Sequence, residues 1–312
     1  MDIKSLQLFV FLSESLHFGQ TAVRCNLSPS AVSRQLQRLE DSVGQLLVDR
    51  NNRHVRLTSA GKVFLTYARK AIYDWQQMQS LLRETQTQIS GELSVFGSVT
   101  ASYSILTQIL PKLRESSPGL DVKLRTGDQA DGIERVLSGD EDCAIIARPD
   151  QLPSKLTFLP LLGTPLRLIG PTTPGAFSDM IEKCVAEKHE PNWSKTPMIL
   201  AERGLARKRL LKYFSDNGGQ PNIYAQVAGH EAVVSMVSLG FGLAVVPELV
   251  IQHSPKQETV RVLPWLNELP PFELGLCALQ EQLKDPLLQA FWKCSLESYP
   301  NQLKPERVLN DQ

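Results

Sequence analysis

Asn26-Leu27-Ser28-Pro29-Ser30-Ala31-Val32-Ser33-Arg34-Gln35-Leu36-Gln37-Arg38-Leu39-Glu40 opens like a helix and then sorts itself into two faces. Ser28 can cap such a helix through its hydroxyl, and Pro29 suits the first helical position, where its missing N–H would be unpaired anyway. Gly44 is the expected stop. At roughly 100° per residue, Val32, Leu36, Leu39 and Val43 gather within about 60° of one another, and that stripe belongs against a core. Ser30, Ser33, Arg34 and Gln37 lie opposite, with Arg38 toward the side. The polar side has two readings, a solvated face or a surface that reads something.

The flanking sequence favours the second. Leu6, Phe9, Val10 and Ser13 have helical spacing, Thr21-Ala22-Val23-Arg24 forms a second short helix, and Asn26-Leu27-Ser28 is a tight turn into the third. Two helices joined by such a turn make a helix-turn-helix. Leu46-Leu47-Val48 and Val55-Arg56-Leu57 are strand-like and flank the polar run Asp49–His54, so the motif is expected to carry a hairpin wing. Ser28, Ser30 and the free backbone N–H groups beside them can donate to phosphates. Arg34 can pair with guanine edges and Gln37 with adenine edges. Arg50, Arg53 and Arg56 on the wing suit phosphate or minor-groove contact. Capped helix, turn and basic wing together point to double-stranded DNA as the partner.

Thr58 caps a long helical stretch running to about Ile89. Phe64, Ala68, Ala71, Trp75, Met78, Leu82, Thr85 and Ile89 follow at alternating steps of four and three, a heptad seam. Such a helix spans roughly 45–50 Å. A lone helix cannot hide that seam, so a second copy of the chain is the simplest partner, the alternative being packing on its own domain.

Ser90-Gly91 breaks the helix and the pattern changes. Leu93–Gly97, Asp121–Thr126 and Cys143–Ala147 read as strands with helices between them, the arrangement of a doubly wound parallel sheet. It restarts with Leu166–Gly170, Met198–Ala201, Ile223–Val227 and Gly242–Pro247, and Phe272–Cys277 is a late strand able to rejoin the first half. The expected organisation is α/β overall: residues 1–58 a winged helix-turn-helix, 59–90 a linker and dimerisation helix, and 91–312 an effector-binding body. In that body, lobe I covers about 91–163 and 271–298, lobe II about 164–270, and a polar tail about 299–312. Two crossings of the chain, near Gly163–Pro165 and Leu269–Pro271, suggest a hinged clamp.

Composition bounds the alternatives. The 312 residues are 42% hydrophobic and 21% charged with zero formal net charge, yet residues 1–90 hold 11 basic against 7 acidic side chains. A basic head on an acidic body fits a nucleic-acid-binding module joined to something else. The five cysteines are dispersed, without a CxxC pair, and read as reduced thiols of a cytoplasmic protein. No signal-peptide core and no run near the roughly 20 apolar residues of a membrane span is visible, so no membrane association is expected. GxGxxG after a strand, P-loop, HExxH and GxSxG are all missing, and Ser98, His230 and Asp128 have no spacing that makes a triad. Neither an enzyme nor a cofactor or metal is expected.

Residues 3–65 resemble the DNA-binding domain of the LysR-type transcriptional regulators. The matching residues are Leu6-x-x-Phe9, His17-Phe18-Gly19-x-x-Ala22, Leu27-Ser28-x-Ser30-Ala31-Val32-Ser33-x-x-Leu36, Leu39-Glu40-x-x-x-Gly44-x-x-Leu47-x-x-Arg50 and Val55-x-Leu57-Thr58-x-Ala60-Gly61. Val48 stands where that family usually carries Phe, which softens a packing contact. The resemblance implies a homodimer made through the long helix, commonly a homotetramer, a body resembling periplasmic binding proteins, and RNA polymerase as a further partner. Ser90-Gly91-Glu92-Leu93-x-x-Phe96-x-Ser98-Val99-Thr100-Ala101-x-Tyr103-Ser104, Thr126-Gly127-Asp128-x-Ala130-Asp131 and Gly229-His230-Glu231-Ala232-x-x-Ser235-Met236-Val237 are similar to the branched-chain amino acid regulators within that family. That likeness implies an acetohydroxy acid co-inducer, acetolactate or acetohydroxybutyrate, and activation of the acetohydroxy acid isomeroreductase promoter.

In α/β lobes, ligands sit at the carboxyl ends of strands. Ser98, Thr100, Ala101 and Ser102 follow the first strand, Thr126 and Asp128 the second, and Arg148 the third, as the natural counter-charge to a carboxylate. From the other lobe, Glu202 follows a strand, and His230 and Glu231 open a helix. Each has a plainer reading: His230 as a satisfied helix-end histidine, Glu202 and Asp128 as caps or surface acids.

Overall fold

The protein, as a computed structural model, is described over residues 2–51, 54–83 and 89–300, without the side chains of residues 50, 51, 54, 76, 77 and 79–83. Arg53, Thr85 and the tail beyond 300 lie outside the described residues, as do the side chains of Arg50 and Leu82. The chain divides into two compact units, essentially residues 1–88 and the residues from Ile89 onward.

In the first unit α1 (Ile3–Ser15), α2 (Phe18–Arg24) and α3 (Pro29–Val43) enclose a core. Ser28 Oγ accepts from the Ala31 N–H at 3.2 Å, and Gly44 ends α3 at φ 74°, a left-handed conformation that costs glycine little. Leu36 and Leu39 are buried with Phe9 and Leu12 of α1, and Val32 is buried with Leu8 of α1 and Ala22 of α2. β1 (Val48–Asn51) and β2 (His54–Leu57) form the antiparallel wing. Leu46 and Leu47, expected in the first of these strands, precede it. Buried Glu40 turns back so that its Oε1 accepts from the N–H groups of Leu47 and Val48 at 2.8 and 3.0 Å, which takes the donor of Leu47 away from strand pairing and ties the start of β1 to α3.

α4 (Ser59–Arg83) starts where Thr58 Oγ1 accepts from the Gly61 N–H at 2.9 Å. A Cβ on Gly61 would fall 2.0 Å from the Leu47 carbonyl oxygen, so only glycine allows the helix to start this close to the wing. Ile89, the last expected seam position, lies outside the helix, immediately before the strand beginning at Ser90.

The second unit has two lobes. Lobe I comprises β3 (Ser90–Gly97), α5 (Val99–Ser104), α6 (Leu106–Ser116), β4 (Gly119–Thr126), α7 (Gly132–Leu137), β5 (Cys143–Ala147) and β6 (Leu156–Thr164). Lobe II comprises β7 (Leu166–Pro171), α8 (Ala176–Ala186), β8 (Pro197–Ala201), α9 (Leu205–Asp216), β9 (Asn222–Val227), α10 (His230–Ser238), β10 (Ala244–Pro247), α11 (Glu248–Gln252) and β11 (Val260–Val262). The chain then returns to lobe I as β12 (Phe272–Leu279) and α12 (Pro286–Ser298).

Lobe I has the strand order β4-β3-β5-β12-β6. β3 runs parallel to β4 and β5, whereas β12 is antiparallel to both its neighbours, so the expected all-parallel sheet is mixed. β6 and three-residue β11 escape a reading by periodicity, β6 because Pro160 interrupts it. A proline is tolerated there because β6 is an edge strand. In lobe II, β7 is flanked antiparallel by β10 and β11, β8 pairs parallel with β9, and a bridge from Met198 to Leu243 joins the two sets. Arg209 on α9 donates through Nη1 to the carbonyls of Pro270 and Pro271, both at 2.7 Å, pinning the second crossing between the lobes. One buried cluster runs through both lobes, including Val95, Ile145 and Leu276 from lobe I and Leu168, Leu200 and Val245 from lobe II. Four of the five thiols are buried and Cys25 is half-buried; burial pushes the Cys277 thiol up to about 12.

Candidate functional site

The first unit presents the polar side of α3 outward. Ser28, Ser30, Arg34, Gln37 and Arg38 are exposed, and Ser33 is half-buried. Ser28 and Ser30 hydroxyls lie 3.0 Å apart, with Ser28 also capping the helix. Arg56 on β2 is exposed and sits opposite Asp49 in the hairpin register, and Arg50 lies on β1. Two exposed guanidinium groups, Arg34 and Arg38, thus share one helix with amide and hydroxyl groups suited to base edges and phosphates.

The seam of α4 is divided. Phe64 meets Phe9 edge-on with ring centroids 5.3 Å apart, Ala68 is fully buried in the head core, and Ala71 packs half-buried against it. Those three close their own domain, against the expectation that they face a partner. The first turns of α4 supply apolar surface that three short helices cannot provide alone. Trp75 and Met78 are each 41% exposed.

In the second unit a small, partly open pocket lies between the lobes. Ser98, Thr100, Ala101, Gln129, Ile145 and Leu274 line it from lobe I, and His230, Glu231, Pro247, Leu249 and Val250 from lobe II. Ser98 Oγ caps α5 by accepting from the Ala101 N–H at 3.1 Å. Glu231 reaches across the cleft: its Oε1 accepts from the Thr100 N–H at 2.9 Å and from the Thr100 hydroxyl at 2.6 Å. His230 has its Nε2 buried without a hydrogen-bond partner. Burial holds the imidazole below its ordinary pKa, against the opposing pull of Glu231 and Asp128, so the neutral ring is favoured.

Five expected ligand residues, Ser98, Thr100, Ala101, His230 and Glu231, therefore meet at one cavity. The others do not line it. Arg148, expected as the counter-charge, is 53% exposed and pairs with Glu273 at 3.1 Å, while its backbone N–H donates to the Glu273 carbonyl at 2.8 Å. The late strand β12 arrives antiparallel beside β5 and supplies that acid. Glu202 is exposed, and its N–H donates to the Val227 carbonyl at 2.8 Å. Thr126 is exposed at the end of β4, and the Ser102 hydroxyl donates to the Ser98 carbonyl at 3.1 Å.

Asp128 takes the plainer role: its Oδ1 accepts from the Ala130 N–H at 3.0 Å, and its other oxygen lies 3.5 Å from Arg203. Arg203 also pairs with Asp131 at 2.7 Å, a second link between lobes; half-exposed, it contributes little on its own. Gln129 and the apolar lining from Pro247 to Val250 escaped the sequence reading. The second had a signal, since Pro247 ends strand β10, and carboxyl ends of strands are where such clefts form. Among the described lining residues there is no Lys or Arg.

Residues 3–62 match the family description "Bacterial regulatory helix-turn-helix protein, lysR family", and residues 86–300 match "LysR substrate binding domain". The chain is 42% identical over 296 residues to the HTH-type transcriptional regulator IlvY of Escherichia coli, covering 94% of this chain and 98% of that protein. It is likewise 42% identical over 296 residues to the HTH-type transcriptional activator IlvY of Salmonella typhimurium, covering 94% and 99%. Its fold matches full-length OxyR from Pseudomonas aeruginosa with a TM-score of 0.68 at 20% identity, covering 98% of this chain and 99% of that one. These relatives are regulators and not enzymes, and no helix among the described residues is long and apolar enough to cross a membrane. With both of its units matched by the two halves of one family, the chain belongs to the LysR family of helix-turn-helix transcriptional regulators.

Proposed function

We propose that this regulator activates the acetohydroxy acid isomeroreductase gene of isoleucine and valine synthesis, with acetolactate or acetohydroxybutyrate as co-inducer. Likeness to the IlvY regulators along 94% of the chain is the observation that carries this reading. The cavity supports it: hydroxyl and amide donors at Ser98, Thr100 and Gln129 suit a hydroxy acid, and Ile145, Leu274 and Val250 suit its alkyl part. A dimer held through the exposed part of α4 would present two α3 helices to two half-sites, spaced by about one turn of DNA or a multiple of it. Ligand in the cleft would bias how paired dimers sit on the operator, limited by its differential affinity for the two arrangements.

Footprints taken with and without acetolactate should differ in extent, and transcription from the isomeroreductase promoter should rise with it. An unchanged footprint with unchanged transcription removes the co-inducer and leaves DNA binding standing. For α3, Arg34→Ala should cost about 1–3 kcal/mol on the operator and relax preference at one base position. Competition binding against random DNA reads this directly; an equal loss on both would make Arg34 a phosphate contact instead.

A further inference from the structure

The ligand proposed above is an anion, and the cavity that would take it already holds one. Glu231, at the start of α10 in lobe II, places one carboxylate oxygen on both donors of Thr100 in lobe I, at 2.6 and 2.9 Å, the short lengths of charge-assisted hydrogen bonds. Thr100 itself is buried. The neighbouring Ala101 N–H is taken by Ser98 Oγ, so the Thr100 pair is the donor set a ligand carboxylate would seek there. Beside it the His230 Nε2 is buried without a partner and lines the same cavity. Among the described lining residues no Lys or Arg is present, so a second carboxylate admitted alongside Glu231 would meet a like charge and no fixed cation.

We propose that Glu231 is a built-in stand-in for the effector's carboxylate: the ligand takes over the Thr100 N–H and hydroxyl, Glu231 is expelled, and the ligand's hydroxyl or oxo oxygen satisfies the buried His230 Nε2. This rests on the cavity being the effector site. The exchange replaces one anion by another and leaves the charge of the cavity unchanged. Glu231 on Thr100 clasps lobe I to lobe II, and on binding that link runs through the ligand. Glu231 moves with the start of α10, which makes its position the signal. Apparent affinity is reduced by the fraction of molecules in which Glu231 still occupies the donors.

The test uses the full-length protein, E231Q and E231A, with racemic 2-acetolactate and sodium acetate as probes. E231Q, whose neutral amide holds the Thr100 donors more weakly, should bind acetolactate about tenfold more tightly than the wild type. In E231A the vacated donors should accept free acetate, so that about 100 mM acetate raises Tm by about 2–4 °C relative to chloride, with no such rise in the wild type. E231Q should respond to acetate in the same sense but less, and it decides the matter if E231A folds poorly. Where the wild type binds acetolactate, equal binding by E231Q shows that Glu231 does not compete and weaker binding makes it a direct ligand contact; either overturns the exchange, as does indifference of both variants to acetate. If none of the proteins binds acetolactate while acetate stabilises the variants alone, the co-inducer assignment falls and the exchange stands.

Discussion

A Trp75→Glu chain should sediment as a monomer and lose about 10²-fold or more of its affinity for an operator with two half-sites. The expectation comes from how α4 uses its seam. Its first turns are engaged at home: Phe64 stacks edge-on with Phe9, and Ala68 is fully buried. One heptad further on, Trp75 and Met78 stand 41% exposed on the same stripe, apolar surface that the described residues leave partly uncovered. A second α4 is the cover whose spacing matches. A carboxylate at position 75 would have to be buried unpaired in that contact, which disfavours association far more than it disturbs an exposed site on the monomer. Binding to an isolated half-site should be retained, because α3 lies in another part of the head. Sedimentation together with titration of full and half operators separates the two effects. A Trp75→Glu protein that stays dimeric would place the self-association surface elsewhere. Ala68→Glu makes the contrast: that charge enters the head core and should unfold it.

Phe9→Ala should remove about 3–5 kcal/mol from the stability of the DNA-binding unit. Phe9 is fully buried in the cluster formed with Leu12, Leu36, Leu39 and Leu47, and its ring packs against Phe64. Deleting it leaves a cavity at the junction of three helices, which short elements cannot collapse to fill. Domain stabilities are typically about 5–15 kcal/mol, so a loss of this size is a large share of what a small head has. Calorimetry of the full chain should show the transition of the head displaced to lower temperature while that of the body stays in place. DNA binding should fail on warming before ligand binding does. A shift worth under about 1 kcal/mol would mean that the core relaxes around the lost ring.

What was legible in the sequence follows a physical line. Ser28, Pro29 and Gly44 act within one turn of their own position, and the Val32, Leu36 and Leu39 stripe needs only the helical period, so α3 and its buried face could be read directly. The wing was legible apart from its expected first residues, because Glu40, seven positions back, draws in the N–H group of Leu47. The heptad was legible as a pattern. Its partner was not, because a stripe of apolar side chains does not say whether the head or a second chain covers it. Lobe I came out mixed rather than parallel because the direction of β12 depends on a chain that returns from lobe II.

The pocket between the lobes shows the same division more sharply. Strand ends and residue chemistry were enough to nominate Ser98, Thr100, Ala101, His230 and Glu231, since each follows a strand or opens a helix. The same rule nominated Arg148, Glu202, Thr126 and Ser102, which the cavity does not use. The difference is tertiary. Arg148 pairs with Glu273 of the returning strand and does not line the pocket, and packing of the lobes brings Glu231 onto Thr100, 131 positions away in the chain. By itself the sequence determined the local elements, the family and the chemistry available to each lobe, because these depend on short-range periodicity, capping and side-chain type. Only the tertiary structure decided which polar groups meet, because a hydrogen bond of 2.6 Å between two lobes is set by how their sheets pack and by nothing within either segment.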